Sequence, residues 1–140
     1  MKSRSDGERL YLFVQHVGRR LRDIDMAHGI SPARFSALVH LAFHGVDNVG
    51  QLAAHERVSR PTMTRLVRDM EADGLVRRRT DASDRRGVLV QLTKKGRDIV
   101  DKVRNDKIAL ISRRLQSLDS PTREAMRLTL RALQGIETGD

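Results

Sequence analysis

Apolar residues recur at helical spacing from the start of the chain. In "ERLYLFVQHVGRRLRDIDMA", residues 8–27, Leu10, Phe13, Val14, Val17, Leu21 and Ile24 fall on one stripe, and Gly29 follows as a stop, so the spacing predicts an amphipathic first helix. "SPARFSALVHLAFHG" predicts a second, with Ser31 as N-cap, Pro32 at the first helical position, a stripe of Phe35, Leu38, Val39 and Ala42, and a stop at Gly45. Asn48 with Gln51 reads as a capping pair that opens "VGQLAAHER". Ser59 then caps a fourth helix over 60–73, closed by Gly74, with only a few residues between this helix and the third. The period next drops to two. "LVRRRT" and "VLVQLT" have strand composition, Val88, Val90 and Leu92 alternating with Leu89 and Gln91, and "DASDRRG" between them is turn chemistry, which predicts a hairpin with a long tip. Helical spacing returns with Ile99, Val103, Ile111, Leu115 and Leu118 behind a Thr93 cap, and Ser120–Pro121 restart a last helix striped by Met126, Leu130, Leu133 and Ile136.

This order predicts a mainly α fold with a small β-hairpin (α+β): a winged helix-turn-helix lobe flanked by N- and C-terminal dimerisation helices. The chain reads as a single domain over 1–140, with the DNA-binding lobe at 31–93 and the dimerisation helices at 8–29 and 94–138. The terminal helices carry more apolar surface than so small a lobe can cover. A second copy is the simplest cover, and Leu10, Phe13, Val17, Ile111, Leu115, Leu118, Met126, Leu130 and Leu133 are its candidate contacts.

Charge gives this architecture a partner. The net charge is +9, and residues 55–97 hold twelve Lys/Arg against six Asp/Glu, so +6 of the excess lies in the predicted helix-turn-helix and wing. A localised cationic face favours a polyanion, because binding releases the counterions condensed on nucleic acid. With one Tyr, three Phe and no Trp, a base-stacking platform for single strands is not expected, and double-stranded DNA is the better partner. The absence of cysteine excludes disulfides, thiolate zinc sites and thiol sensing. No apolar run approaches the roughly 18 residues of a membrane span, and "MKSRSDGERL" lacks the apolar core of a signal peptide, so the expected location is the cytoplasm with no membrane partner. No nucleophile triad, phosphate loop or metal triad stands out; neither enzymatic activity nor a cofactor is expected.

In a helix-turn-helix the second helix meets the major groove through its N-terminal residues. Met63, Leu66, Val67 and Met70 form the inward stripe of the 60–73 helix, leaving Arg60, Pro61, Thr62, Thr64, Arg65 and Arg68, next to the Ser59 cap, on or near the other face. Arginine can bond guanine in bidentate fashion, threonine can touch a thymine methyl, and the helix N-terminus suits a phosphate. At the hairpin tip, Arg85 or Arg86 is long enough to enter a minor groove, with Asp84 placed to orient a guanidinium. Arg77, Arg78 and Arg79 lie at the hairpin base. Strand alternation lets at most two of them face one phosphate backbone; Arg77 and Arg79 are the pair, and the third is structural or solvated.

Residues 49–96, "VGQLAAHERVSRPTMTRLVRDMEADGLVRRRTDASDRRGVLVQLTKKG", resemble the DNA-binding core of the MarR (multiple antibiotic resistance regulator) family. "VSRPTMTRLV", "GLVRR", "D-x-x-DRR" and "LTKKG" occur in that family's order and spacing, and the flanking helices fit its layout over nearly the whole chain. The resemblance implies a homodimer with intertwined first and last helices that acts as a transcriptional regulator, most members being repressors of pseudo-palindromic operators. It makes 59–73 the recognition helix, Arg86 the wing arginine and Asp84 its partner. It also implies a small-molecule effector between the dimer and DNA-binding lobes; a phenolic or aromatic acid is the class to test, and His16, His40 and His44 are the pocket candidates. Where the family often has Leu-Gly before "VS", this chain has Glu56 and Arg57, which leaves the turn geometry open. The alternative role for the same fold is an architectural DNA binder or protein-interaction adaptor without operator specificity.

His40 and His44, four apart, share a helix face as a metal pair would. They lie roughly opposite the Phe35/Leu38/Val39/Ala42 stripe, where polar residues are expected, and no neighbouring carboxylate or cysteine in the sequence completes a set, so no metal is expected.

Overall fold

The computed structural model describes residues 4–84 and 87–138. Their order is α1 (Asp6–Ala27), α2 (Pro32–His44), β1 (Asp47–Asn48), α3 (Val49–His55), α4 (Arg60–Ala72), β2 (Val76–Thr80), β3 (Val88–Leu92), α5 (Lys94–Gln116), α6 (Ser120–Ala132) and α7 (Gln134–Thr138). The chain divides into two compact units, one ending at Asn105 and one beginning at Asp106.

The first unit contains the core. Ala37, Leu38 and Leu41 of α2, Val49, Leu52 and Ala53 of α3 and Met63, Val67 and Met70 of α4 pack with Leu75, Val76, Val90, Leu92 and Val100. The inward stripe expected for the fourth helix is the observed one, with Leu66 at its half-buried margin. The stripe expected for α2 is one step off. Ala37 and Leu41 are fully buried with Leu38, whereas Phe35, Val39 and Ala42 are only partly buried, because this helix is covered over a wider arc than one stripe.

A third strand joins the hairpin. β1 pairs antiparallel with β3, Asp47 opposite Val90 and Asn48 opposite Leu89, giving the sheet order β1-β3-β2. It also changes the cap of α3. Asn48 Oδ1 accepts from the Gln51 N–H at 2.8 Å as expected, but the Asn48 N–H donates to Asp47 Oδ1 at 2.8 Å, so Asp47 takes the place a reciprocal glutamine would have filled.

Three helices of this unit end on the same hydrogen-bond pattern. After α1, Gly29 and Ile30 donate to the carbonyls of Met26 and Asp25; after α4, Gly74 and Leu75 donate to Glu71 and Met70; after α3, Arg57 and Val58 donate to Ala54 and Ala53. The pivot residue must be left-handed, and φ is 71° at Gly29, 74° at Gly74 and 53° at Arg57. The turn lacking glycine therefore keeps glycine geometry at the expense of a side chain. Left-handed φ costs an L-residue about 1–2 kcal/mol, and glycine's extra freedom when unfolded returns about 0.4–1 kcal/mol of that. Arg57→Gly is expected to stabilise the chain by about 0.5–1 kcal/mol, read as a higher urea midpoint at unchanged slope.

α5 starts where α4 and β2 meet. Gly96 is buried there, and a Cβ on it would stand 2.0 Å from the Leu75 carbonyl oxygen. In the second unit, Asp119 caps α6 by accepting from the Thr122 N–H at 2.9 Å, and Leu133 closes that helix, so the stripe from Met126 to Ile136 runs over two short helices rather than one. No described side chain of the second unit is fully buried.

Candidate nucleic-acid interface

α4 is firmly held at one end and open at the other. At its C-terminal end the Arg34 guanidinium of α2 bonds the Asp73 carboxylate, Lys95 Nζ donates to the Asp73 carbonyl at 2.8 Å, and Thr93 Oγ1 donates to the Gly74 carbonyl at 2.6 Å. Thr93 serves twice, since its hydroxyl oxygen also accepts from the Gly96 N–H at 3.0 Å and so caps α5. At the N-terminal end Ser59 Oγ accepts from the Thr62 N–H at 3.2 Å and lies 2.7 Å from the Thr62 hydroxyl, while Thr64 Oγ1 donates to the Arg60 carbonyl at 2.9 Å. These hydroxyls settle the start of the helix by bonds within it.

The arginines of this region fall into two classes. Arg34 is tied to Asp73, Arg77 donates to Gln91 Oε1 at 3.1 Å, and Arg78 grips Glu71. By contrast Arg60, Arg65 and Arg68 are exposed on α4, and among the described residues their guanidinium groups have no hydrogen-bond or ion-pair partner. Arg60, Pro61, Thr64, Arg65, Arg68 and Asp69 line one open depression on this face, and a second, of about 130 Å³, runs between Val49, Arg60, Thr64 and Arg68 and the sheet residues Arg78 and Val88. Unpaired guanidinium groups on the first turns of a rigid helix, beside its positive end, form a surface that takes phosphates and base edges.

Of the three arginines at the hairpin base, Arg78 is the structural one. Its backbone N–H and Nε donate to the two Glu71 carboxylate oxygens at 2.9 and 2.6 Å, stitching the last turn of α4 to β2. Arg77 and Arg79 lie on the other face of β2, and Arg79 stands near Asp81, whose charge it favours. The backbone bond, followed by the guanidinium bond, holds the Glu71 carboxyl below its ordinary 4.5. A depressed carboxylate contributes stability that is complete above the unfolded value and lost as pH falls through the folded one. Wild type is therefore expected to lose more stability than Glu71→Gln on going from pH 6 to pH 3, by under about 1 kcal/mol for so solvated a pair, measured as the difference in denaturation midpoints.

The wing tip is organised by Asp81. Its Oδ1 accepts from the Ser83 hydroxyl at 2.7 Å and the Ser83 N–H at 2.8 Å, which hold the carboxyl below its usual range, and the Asp81 N–H donates to the Gly87 carbonyl at 3.0 Å. Asp84 is exposed, and its carbonyl accepts from the Gly87 N–H at 2.8 Å. Arg85 and Arg86, and with them the wing-arginine assignment, lie outside the described residues.

The histidines depart from the sequence reading. His40 is not on a solvated face: only 9% of its side chain is exposed, and Nε2 lies 2.9 Å from Asp47 Oδ2, so the carboxylate missing in the linear reading is supplied by β1 folding back on α2. His44 packs against the His40 ring with centroids 4.4 Å apart, and His55, at the end of α3, does so at 4.1 Å. His16 is exposed on α1 and, among the described residues, makes no ring contact with them. Sequence reasoning missed Asp47, His55 and Glu71 because each gains its role only from a partner on another element. It missed Arg34 for the same reason.

The MarR family model matches residues 28–87. An HTH-type transcriptional regulator of Mycobacterium leprae is 34% identical over 118 residues, spanning 84% of this chain and 82% of its own length. Among solved structures, a MarR family protein from Bacillus stearothermophilus is 29% identical with a TM-score of 0.81, over 92% of this chain and 90% of that one. A mutant S. aureus MepR bound to an oligodeoxyribonucleotide superposes with a TM-score of 0.76 at 18% identity, over 95% of this chain and 98% of that one.

Proposed function

We propose, from the premise that this chain belongs to the MarR family of DNA-binding transcriptional regulators, that it represses transcription as a homodimer on a pseudo-palindromic operator and releases it when a small molecule binds. The observation that carries this reading is the set of unpartnered arginines on the first turns of α4, held in place by the clamp on its far end. In it, 31–93 reads DNA: Ser59, Arg60, Pro61, Thr62, Thr64, Arg65 and Arg68 meet the major groove, Arg77 and Arg79 follow the phosphates, and Arg86, steadied by Asp84 and beside Arg85, probes the minor groove.

Uncovered apolar surface supports the dimer. Phe13 is 63% exposed and Leu10 38% on α1, and Ile111 on α5 and Leu130 on α6 are exposed as well. Val17, Leu115, Leu118, Met126 and Leu133 are half-buried along the same helices. Such surface is stabilised by a second copy over 8–29 and 94–138. No helix among the described residues is long and apolar enough to cross a membrane. In this reading the protein works in the cytoplasm, because that is where the DNA it regulates lies. An aromatic acid is the first effector class to screen, with His16, His40 and His44 as pocket residues to test by substitution.

Sequencing the genomic fragments enriched by the purified protein tests the core of this reading. The expected result is a two-fold symmetric motif with half-sites about 34 Å apart. Uniform recovery of unrelated fragments would instead identify an architectural binder. On the enriched site, Arg86→Ala is expected to weaken binding and flatten its salt dependence, because each phosphate left without its cation lowers the slope by about one.

A further inference from the structure

We infer that His40, His44 and His55 form a binding site for a divalent transition-metal ion of the class that favours imidazole, with Asp47 as the carboxylate that positions His40. The site lies in the first unit, between α2 and the end of α3, is separate from the DNA-facing residues of α4, and assigns His40 and His44 to a metal ion in place of the aromatic effector, leaving His16 as the pocket histidine.

Four observations carry it. First, an ionised Asp47 can only accept, so His40 donates from Nε2, and in the neutral ring Nδ1 then bears the lone pair. A carboxylate on one ring nitrogen with the other left for a metal is the usual second-sphere arrangement of a ligating histidine. Second, His40 is nine-tenths buried and its Nδ1 is buried with no hydrogen-bond partner, an expensive condition that a metal ion would relieve. Third, the three ring centroids are 4.1, 4.4 and 6.4 Å apart. Three imidazoles on one tetrahedral ion, with metal–nitrogen distances of about 2.0–2.1 Å, place their centroids about 5 Å apart, inside that range. Fourth, the nearby charge is negative: Asp47 on one side, and on the other Glu56, whose Oε1 is 3.9 Å from His55 Nε2 and accepts from the Ser36 hydroxyl at 3.0 Å.

No three donors among the described residues already converge on one point. His40 is the fixed member, while His44 and His55 are exposed and free to turn their rings toward a common centre. Binding would thus order two surface side chains around one anchored ring, tying α2 to the last residue of α3 just before the turn into α4. A solvent molecule would complete the tetrahedron.

The experiment uses the full, tag-free chain stripped with chelator and titrated with Zn2+ by calorimetry in a non-coordinating buffer. One equivalent per chain is expected. His44→Asn and His55→Asn, both surface changes, should each weaken binding at least about tenfold, and Asp47→Asn by about 10–100-fold through the loss of its hold on His40. Far-UV circular dichroism and the unfolding midpoint of the two surface variants should match wild type, and Co2+ in place of Zn2+ should show the visible absorption of a four-coordinate ion only where the three histidines are intact. Failure of the wild-type chain to bind one equivalent overturns the site. Equal affinity of wild type and the His44→Asn/His55→Asn double variant also overturns it, the ion then lying at His16, His28 or elsewhere.

Discussion

Gly96→Ala is expected to destabilise the protein by about 3 kcal/mol or more, at the upper end of what overpacking costs and among the largest single-substitution effects available in this fold. The new Cβ would sit 2.0 Å from the Leu75 carbonyl oxygen and 3.0 Å from the Leu75 carbonyl carbon and Leu92 Cδ2. Side-chain rotation cannot relieve the first two contacts, because both atoms are backbone. That carbonyl also accepts from the Thr93 N–H at 3.1 Å, so moving it away breaks the junction that starts α5. The measurement is thermal and urea unfolding. A loss of this size corresponds to roughly 10 °C in Tm for a chain of this length. A shift of a degree or two would mean that α5 can slide off β2 freely, and the close approach would have no structural importance.

The second large effect is on DNA. Arg65→Ala is expected to weaken binding to the enriched operator about 10- to 100-fold per half-site, since a well-placed arginine on a base edge is worth about 1–3 kcal/mol. Its side chain has no partner among the described residues, so its removal leaves the fold intact and the unfolding midpoint should not change. Arg78→Ala should behave the opposite way, because that guanidinium is engaged with Glu71: stability falls, and affinity follows only through the loosened link between α4 and β2. Gel shifts with wild type and both variants at one salt concentration, set beside their denaturation curves, separate the two roles. If Arg65→Ala binds within twofold of wild type, the face of α4 assigned to DNA is the wrong one.

Much of this is readable in the chain because it depends on local physics. Ser31–Pro32, Asn48, Ser59 and Gly74 mark helix ends through their own backbone preferences, and Met63, Val67 and Met70 leave the arginine face of α4 by subtraction. The roles of the arginines at 77–79 are half legible, since strand alternation separates one from the other two but cannot show Glu71 waiting across α4. β1 is invisible in the sequence because a two-residue strand exists only by pairing with β3. The surroundings of His40 are hidden for a related reason: Asp47 bonds it from seven residues on, and the His44 and His55 rings pack against it. "LTKKG" is visible as a motif, yet its physical purpose is not. Thr93, Lys95 and Gly96 each act on residues 73–75, which only the folded chain brings to them.

That purpose has a mechanical consequence. α4 is a lever of 13 residues, about 20 Å long, seated on the core through Met63, Val67 and Met70, clamped at Asp73 and Gly74 and loaded at Arg60. A tilt of about 5° at the anchor displaces the loaded end by about 1.7 Å, more than the roughly 0.5 Å window over which a hydrogen bond to a base edge keeps its strength. The fidelity with which such a helix reads a groove therefore depends on stiffness at its root as well as on the core beneath it. Thr93, Lys95 and Gly96, which touch no DNA in this reading, set the tolerance of the instrument that does.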